Sequence, residues 1–272
     1  NTLQVLQPGS NTDTYNVAVG YNAGIAMTTA VRNTLVGGLA GDSLTTGQYN
    51  TAIGMFTLSA EDAHGGNTAI GYGALEQQNA GADAYNVAVG YIAGNAITTG
   101  INNILVGANA GDALTTGHYN VAVGHAALSA EDAHGKNVAI GHQALGAQDA
   151  GADAYNVAVG FQAGMTISTG IKNTLVGGLA GDALTTGDSN IAIGAYALST
   201  EDTGNKNIAI GHGSLENANY DGDAYNTAIG HNAGYAVTTG VENTIIGGLA
   251  GDGLTTGSDN TAVGYAALST EN

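Results

Sequence analysis

A five-residue pattern recurs along almost the whole chain and constrains the fold more than any other feature. It consists of Asn, two residues that are mostly small or β-branched, Val or Ile, and then Gly. Successive copies are spaced by seventeen positions three times and then by nineteen, and this order repeats, so four copies make one block. Such a fixed period is typical of repeat architectures. The fifteen opening residues are Asn16, Asn33, Asn50, Asn67, Asn86, Asn103, Asn120, Asn137, Asn156, Asn173, Asn190, Asn207, Asn226, Asn243 and Asn260.

One copy of the pattern predicts one coil of a parallel β-solenoid. Residues 17–19 place β-branched side chains at alternate positions, which favours a strand, and Gly20 ends it. We expect Val and Ile of the strand to point inward, Ala23 to hold a second inward position, and Leu58 or Leu75 to fill the next one. A coil this short cannot bury its own apolar face, so neighbouring coils must stack and share one core. The predicted fold is therefore an all-β solenoid of about fifteen coils.

The repeat also predicts the domain organisation. Residues 1–15 precede the first copy and are expected to form an N-terminal cap or a connection. Residues 16–272 form the predicted solenoid domain. Its blocks are residues 16–85, 86–155 and 156–225, followed by a partial block at 226–272.

The recurring Asn predicts a polar ladder. At a coil corner, each side-chain amide can hydrogen-bond to the Asn of the coils above and below, which satisfies groups that would otherwise be buried unpaired. The alternative is that Asn is present because it tolerates a left-handed turn. We favour the ladder, because Gly or Asp would serve a turn equally well.

Composition excludes several classes of protein. The chain has 45 Gly among 272 residues without the three-residue period of collagen, and its 43% hydrophobic content is too high for a disordered chain. With only 4 Lys and Arg and a net charge of −18, it has no surface for binding nucleic acid. No apolar run is long enough to cross a bilayer, so no membrane insertion is expected. The absence of Cys excludes disulfides and thiol chemistry.

A thin core of mostly small side chains predicts association with further copies of the chain. Small cores barely offset the conformational entropy of folding. The residue after the strand Gly is often aromatic, and a column of rings would suit a subunit interface. This column comprises Tyr21, Tyr72, Tyr91, His125, His142, Phe161, His212, His231 and Tyr265.

The Asn-Val-Ala-Val-Gly and Asn-Thr-Ala-Ile-Gly sequences, followed by Ala and a Thr-Gly turn, resemble the head repeats of trimeric autotransporter adhesins (YadA-like). They are also similar to the Asn-Thr-Ala-Ile-Gly repeats of phage tail-fibre proteins. The resemblance covers residues 16–272 and implies a homotrimer of parallel β-rolls in an extended, extracellular fibre. It also implies a place on a bacterial surface or a phage virion and binding to a cell-surface glycan or protein receptor. The coils of this chain are longer than those of the adhesin heads.

Acidic turns are the candidates for ion binding, and no other cofactor is expected. One Asp recurs at equivalent turns, where residues of adjacent coils could together supply the six to eight oxygen ligands of Ca²⁺. The alternative is that these turns are solvated and keep the protein soluble. The same two readings apply to Glu61-Asp62 and its equivalents in the third coil of each block. The Ca²⁺ candidates are Asp42, Asp112, Asp182 and Asp252.

Exposed tyrosines are the candidates for contact with a receptor. Tyr85, Tyr155 and Tyr225 precede the Asn that opens a block, and exposed Tyr commonly anchors a partner or a sugar. The alternative is that they only cover the turn. His64 and His134 are expected in solvent-exposed turns.

These features predict an adhesive or receptor-binding fibre segment rather than an enzyme, since nothing in the chain matches a catalytic motif. Two alternatives stay open. One is a structural spacer that assembles laterally into filaments, for which the period of the block could set the register. The other is a monomeric solenoid that binds Ca²⁺ or ice, although Thr pairs occur in only some of the coils.

Overall fold

The computed structural model describes residues 13–269. They form a parallel β-solenoid of about fifteen turns, and the described residues contain no helix. The fold class predicted from the sequence is therefore confirmed. Most of the predicted N-terminal cap or connection, residues 1–12, lies outside the described residues. The chain divides into two compact units, Asn1–Lys136 and Asn137–Asn272.

Each turn contributes one three-residue strand that begins directly after the repeated Asn. In the first unit the strands are β1 (Val17–Val19), β2 (Thr34–Val36), β3 (Thr51–Ile53), β4 (Thr68–Ile70), β5 (Val87–Val89), β6 (Ile104–Val106) and β7 (Val121–Val123). In the second unit they are β8 (Val138–Ile140), β9 (Val157–Val159), β10 (Thr174–Val176), β11 (Ile191–Ile193), β12 (Ile208–Ile210), β13 (Thr227–Ile229), β14 (Thr244–Ile246) and β15 (Thr261–Val263). Within each unit, consecutive strands pair in parallel with equivalent residues side by side, as Leu35 pairs with Ala18 and with Ala52.

The strands face the opposite way from the sequence-based prediction. The middle residue points inward, as shown by Leu35 and Ala52, which have no exposed surface. The β-branched residues on either side, such as Thr51 and Ile53, point outward and are at least partly exposed. The expectation that strand Val and Ile fill the core was therefore wrong. The reason is parity: the preceding Asn is buried, and side chains alternate along a strand, so the residue two positions later must also be buried.

The core is filled by alternating small and large side chains. Ala23, Leu58 and Leu75 are buried, as predicted. Leu35 in β2 lies against Gly41, where an added Cβ would be 3.1 Å from the Leu side chain. In the next coil the order is reversed, with Ala52 in the strand and Leu58 six residues later. In these two coils one large side chain thus fills a similar volume, which keeps the packing dense.

The Asn side chains link successive coils from inside. The backbone N–H of Asn173 donates to Asn156 Oδ1 at 2.8 Å, and the backbone N–H of Asn190 donates to Asn173 Oδ1 at 2.9 Å. The Nδ2 group of Asn173 donates to the carbonyl of Gly187 at 2.8 Å. The ladder therefore runs mainly between side chains and backbone. Some direct amide-to-amide bonds also occur, as from Asn243 Nδ2 to Asn226 Oδ1 at 3.1 Å.

A left-handed residue does occur at each corner, but it is the residue before the Asn. Tyr85 has φ of 53° and Lys172 has φ of 60°, whereas none of the fifteen repeated Asn residues has positive φ. These Asn residues are all within the part of the chain that the structure describes. The turn-tolerance alternative thus does not explain why Asn occupies this position.

The longer coil of each block inserts one more polar side chain into the ladder. Gln78 is fully buried, and its Oε1 accepts a hydrogen bond from Asn86 Nδ2 at 2.6 Å. In the third block this role passes to Tyr220, whose hydroxyl donates to Asn207 Oδ1 at 2.5 Å and accepts from Asn226 Nδ2 at 3.2 Å. In the first block the ladder stays direct across the longer coil, since the backbone N–H of Asn86 donates to Asn67 Oδ1 at 3.1 Å, whereas Tyr220 bridges Asn207 and Asn226 in the third.

Candidate functional site

An apolar surface runs along the outward side of the strands in each unit. We call it the strand face, and it comprises the first and third residues of each strand and the residue two positions after the strand. The third strand position is Val or Ile in all fifteen strands, and none of these residues is buried. Large apolar side chains such as Ile53, Ile104 and Ile193 are more than a third exposed. The sequence signal for this face was the Val or Ile found at the third strand position of every coil. From the sequence alone, these residues were predicted to be part of the core.

Aromatic rings stack along one edge of the strand face. The rings of Tyr72 and Tyr91 lie 5.6 Å apart and nearly parallel in the first unit. In the second unit, His212 and His231 stack at 5.3 Å. The spacing of about 5 Å follows from the separation of neighbouring strands. The faces of these stacked rings lie against one another, and the exposed parts of Tyr72 and Tyr91 extend the apolar area of the strand face.

The candidate contact tyrosines Tyr85, Tyr155 and Tyr225 are all more than half exposed. Tyr85 lies over Gly66 of the preceding coil, where an added Cβ would be 2.7 Å from the ring. Tyr225 lies beside Lys206, whose Nζ is 4.8 Å from the ring centroid. These rings cover a turn and still offer an exposed surface, so neither of the two readings from the sequence is eliminated.

The four predicted Ca²⁺ candidates occupy equivalent turns, one in each block. In each of them the Oδ1 atom is buried and has no hydrogen-bond partner among the described residues: Asp42, Asp112, Asp182 and Asp252. Burial raises the pKa of Asp42 and of Asp182 above the ordinary value, while the backbone N–H of each Asp partly opposes this effect. Across residues 13–269, none of the four belongs to a cluster of three or more ligand side chains. Binding of Ca²⁺ at these residues stays a prediction.

A more unusual acidic group lies in the third coil of each block. Glu61, Glu131 and Glu201 have no exposed surface, so the reading of these residues as solvated turns was wrong. Each carboxylate turns inward and accepts a hydrogen bond from the backbone of its own turn, as Glu201 Oε1 does from Gly204 N at 2.7 Å. Each of these Glu lies eleven residues after its Asn, the position that Met27 and Leu44 occupy in the preceding coils. That register was the sequence signal for burial.

Burial raises the pKa of two of these carboxyl groups, those of Glu61 and Glu201. Desolvation raises the pKa of Glu61, and it raises the pKa of Glu201 to about 6, with backbone hydrogen bonds acting in the opposite direction. The Oε2 atom of Glu201 is buried and has no hydrogen-bond partner in the part of the chain that the structure describes. A carboxyl group in this setting is neutralised more easily than one in water.

His64 and His134 lie beside the buried Glu of their coils. His64 Nδ1 is 3.6 Å from Glu61 Oε1, and His134 Nδ1 is 3.5 Å from Glu131 Oε1. The expectation of solvent-exposed rings holds only in part, because each side chain is less than a third exposed.

Comparison with family models, with curated proteins and with solved structures finds no match to this chain. Within residues 13–269 there is no helix with the length and apolar character needed to span a membrane.

Proposed function

We propose that this chain is a segment of an extracellular fibre in which three copies pack together through their strand faces. We further propose that the fibre belongs to a bacterial surface or a phage virion and binds a cell-surface glycan or protein receptor. One observation carries the proposal: the third strand position is Val or Ile in all fifteen coils, although it faces outward. An ordinary solvent-facing strand position would carry polar residues in most coils.

The free energy of burial supports association. Full burial of a Val or Ile side chain contributes roughly 1.5–3 kcal/mol, and these side chains are only partly buried by their own unit. Large contiguous apolar patches on soluble proteins commonly mark interaction sites. A second copy placed against the strand face would cover the column of Val and Ile at the third strand position, together with the Val and Ile residues that share the first position with Thr. The stacked rings of Tyr72 and Tyr91 would enlarge the covered area.

The number three and the adhesive role rest on the resemblance to YadA-like heads and phage tail fibres. The exposed rings of Tyr85, Tyr155 and Tyr225 support a receptor-binding role, because exposed Tyr offers a flat apolar surface together with a hydroxyl group. A laterally assembled filament would use the same strand face, and it is the runner-up proposal.

Mass in solution, measured by light scattering after size exclusion, tests the association. We expect a stable species of about three times the chain mass of 26.7 kDa. Ile53→Lys places a charge on the strand face and should reduce this species to the monomer. The control Gln77→Lys adds the same charge in an exposed turn and should leave the trimer intact. A monomer at all concentrations would overturn the proposal, and open-ended polymers would favour the filament.

Binding to a glycan array tests the adhesive role. Specific, saturable binding that is weakened in the Tyr85→Asn, Tyr155→Asn and Tyr225→Asn variant would support it. Asn102 holds the equivalent position with a similar positive φ, so the replacement suits the backbone. A trimer that binds neither glycans nor cell surfaces would contradict the adhesive role and leave a spacer.

A further inference from the structure

In the first unit, two turns bring together a set of side chains that suits a metal ion. The ligand atoms of Glu61, Asp62 and His64 all lie within 4.8 Å of one another. The equivalent side chains of Glu131, Asp132 and His134 meet the same criterion one block later. Each set combines a buried carboxylate, an exposed carboxylate and a partly exposed imidazole. An ion could therefore reach the set from solvent on the Asp side.

Unpaired polar atoms at the first of these turns point independently to a ligand. Glu61 Oε1 already accepts a hydrogen bond from the backbone N–H of His64 at 3.0 Å. Glu61 Oε2 and His64 Nδ1 are both buried, and neither has a hydrogen-bond partner among the described residues. The gap of 3.6 Å between Nδ1 and Oε1 is too long for a hydrogen bond but suits two ligands of one cation. A bound cation would satisfy both side chains together.

The backbone holds this turn in place before any ion binds. The carbonyl oxygen of Asp62 accepts hydrogen bonds from the N–H and the hydroxyl of Thr45, and Gly65 N donates to Asp83 Oδ1 at 2.9 Å. The turn is thus fixed to the preceding coil on one side and to the following coil on the other. Rigid support of this kind keeps ligands at a fixed geometry.

We propose that Glu61, Asp62 and His64 bind a divalent transition-metal ion such as Zn²⁺, and that Glu131, Asp132 and His134 contribute to a second site. A set of one imidazole and two carboxylates suits Zn²⁺ better than Ca²⁺, which takes six to eight oxygen ligands. At the turn of Glu61, Asp62 and His64, the three protein ligands leave a fourth tetrahedral position for water or for a group from another molecule.

The third block provides an internal control. Its turn keeps the buried Glu201 and the adjacent Asp202, but Gly204 stands where the other two turns have His. Glu201 Oε1 still accepts a hydrogen bond from the backbone at this position, at 2.7 Å. The fold therefore needs the Glu but not the His. His64 and His134 can therefore serve as metal ligands without a role in folding. Gly, which occurs at the equivalent position of the third block, is a suitable replacement for either His.

Isothermal titration of the EDTA-treated, dialysed full chain with ZnCl₂ tests the proposal. We expect two Zn²⁺ ions per chain, one in His64→Gly, and none at these turns when His134→Gly is added. Co²⁺ titration should show the visible absorption of a tetrahedral site in the unmodified chain and lose it in the double variant. His231→Asn removes a ring of the stacked pair on the strand face and should leave the count at two.

Thermal unfolding provides a second readout. Saturating Zn²⁺ should raise the Tm of the unmodified chain and leave that of the double variant unchanged, since only an ion bound to the folded state stabilises it. The proposal is overturned if the unmodified chain binds no Zn²⁺, or if the double variant binds as much as the unmodified chain. If the unmodified chain binds no Zn²⁺, the interaction between Glu61 and His64 is only an ion pair that requires a protonated imidazole.

Discussion

The buried Glu201 should make the second unit less stable as the pH rises. Burial raises the pKa of Glu201 from 4.5 to about 6, because the folded environment penalises the charged carboxylate. The folded state therefore holds the proton more tightly than the unfolded state does. The stabilising contribution of the protonated group is fully present below pH 4.5. It declines as the pH rises towards 6 and is absent at higher pH.

The size of this effect follows from the shift. A difference of about 1.5 pKa units corresponds to roughly 2 kcal/mol, at 1.36 kcal/mol per unit. Glu201→Gln keeps the shape of the side chain and a carbonyl oxygen for the N–H of Gly204, but it cannot ionise. We compare the free energy of unfolding of the variant with that of the unmodified chain at each pH. The variant's value minus that of the unmodified chain should be about 2 kcal/mol larger at pH 7.5 than at pH 4.

Urea unfolding at pH values from 4 to 7.5 measures this difference, and every other titrating group cancels between the two proteins. Repeat arrays can unfold in segments, so amide exchange of Gly204 should be followed as a local probe of the second unit. A difference in the free energy of unfolding that is the same at pH 4 and pH 7.5 would refute the reasoning. Glu201 would then have the same pKa in the folded and the unfolded state.

Two further predictions concern the glycines and the ladder. Gly177→Ala should cost more than about 2 kcal/mol, because its φ is 142° and a Cβ would lie 2.5 Å from the backbone of Gly194. The adjacent Gly178→Ala, which meets nothing within 4 Å, should be nearly neutral; equal losses in the two variants on urea unfolding would contradict this. Asn173→Ala should cost about 2–4 kcal/mol, because the buried N–H of Asn190 and the carbonyl of Gly187 each lose a partner. Asn217→Ala removes only an exposed bond to Tyr235 and should cost less than about 1 kcal/mol; a loss as large as that of Asn173→Ala would count against the ladder.

The repeat allowed the strand positions to be predicted, because each strand starts directly after an Asn, at a spacing visible in the sequence. Which side of the strand faces inward was predicted wrongly. Val17 and Val19 are the more apolar pair, yet Ala18 shares the parity of the Asn ladder. The ladder prediction already required a buried Asn, and alternation along the strand would then have placed Ala18 inside.

The acidic turns could not be assigned from composition alone. Asp42 and Glu61 both follow small residues in turns, yet Glu61 is fully buried and Asp42 only partly. The difference is one of register within the coil. Position eleven after the Asn points into the core, whereas Asp42 lies nine positions after Asn33. Clusters such as Glu61 with His64 depend on the path of a turn, which the spacing of the repeat does not specify.

The order of coils within a block is also fixed by packing. Gly94, in the first coil of its block, lies between Leu75 of the coil before and Leu105 of the coil after, and an added Cβ would be 3.0 Å or less from both. The same arrangement recurs in the second unit, where Gly234 meets Leu215 and Ile245. Any coil with Leu at this position, such as the one with Leu75 itself, would overfill the space between two large neighbours. The block of four coils is therefore a packing unit, in which one coil supplies the space that its two neighbours need.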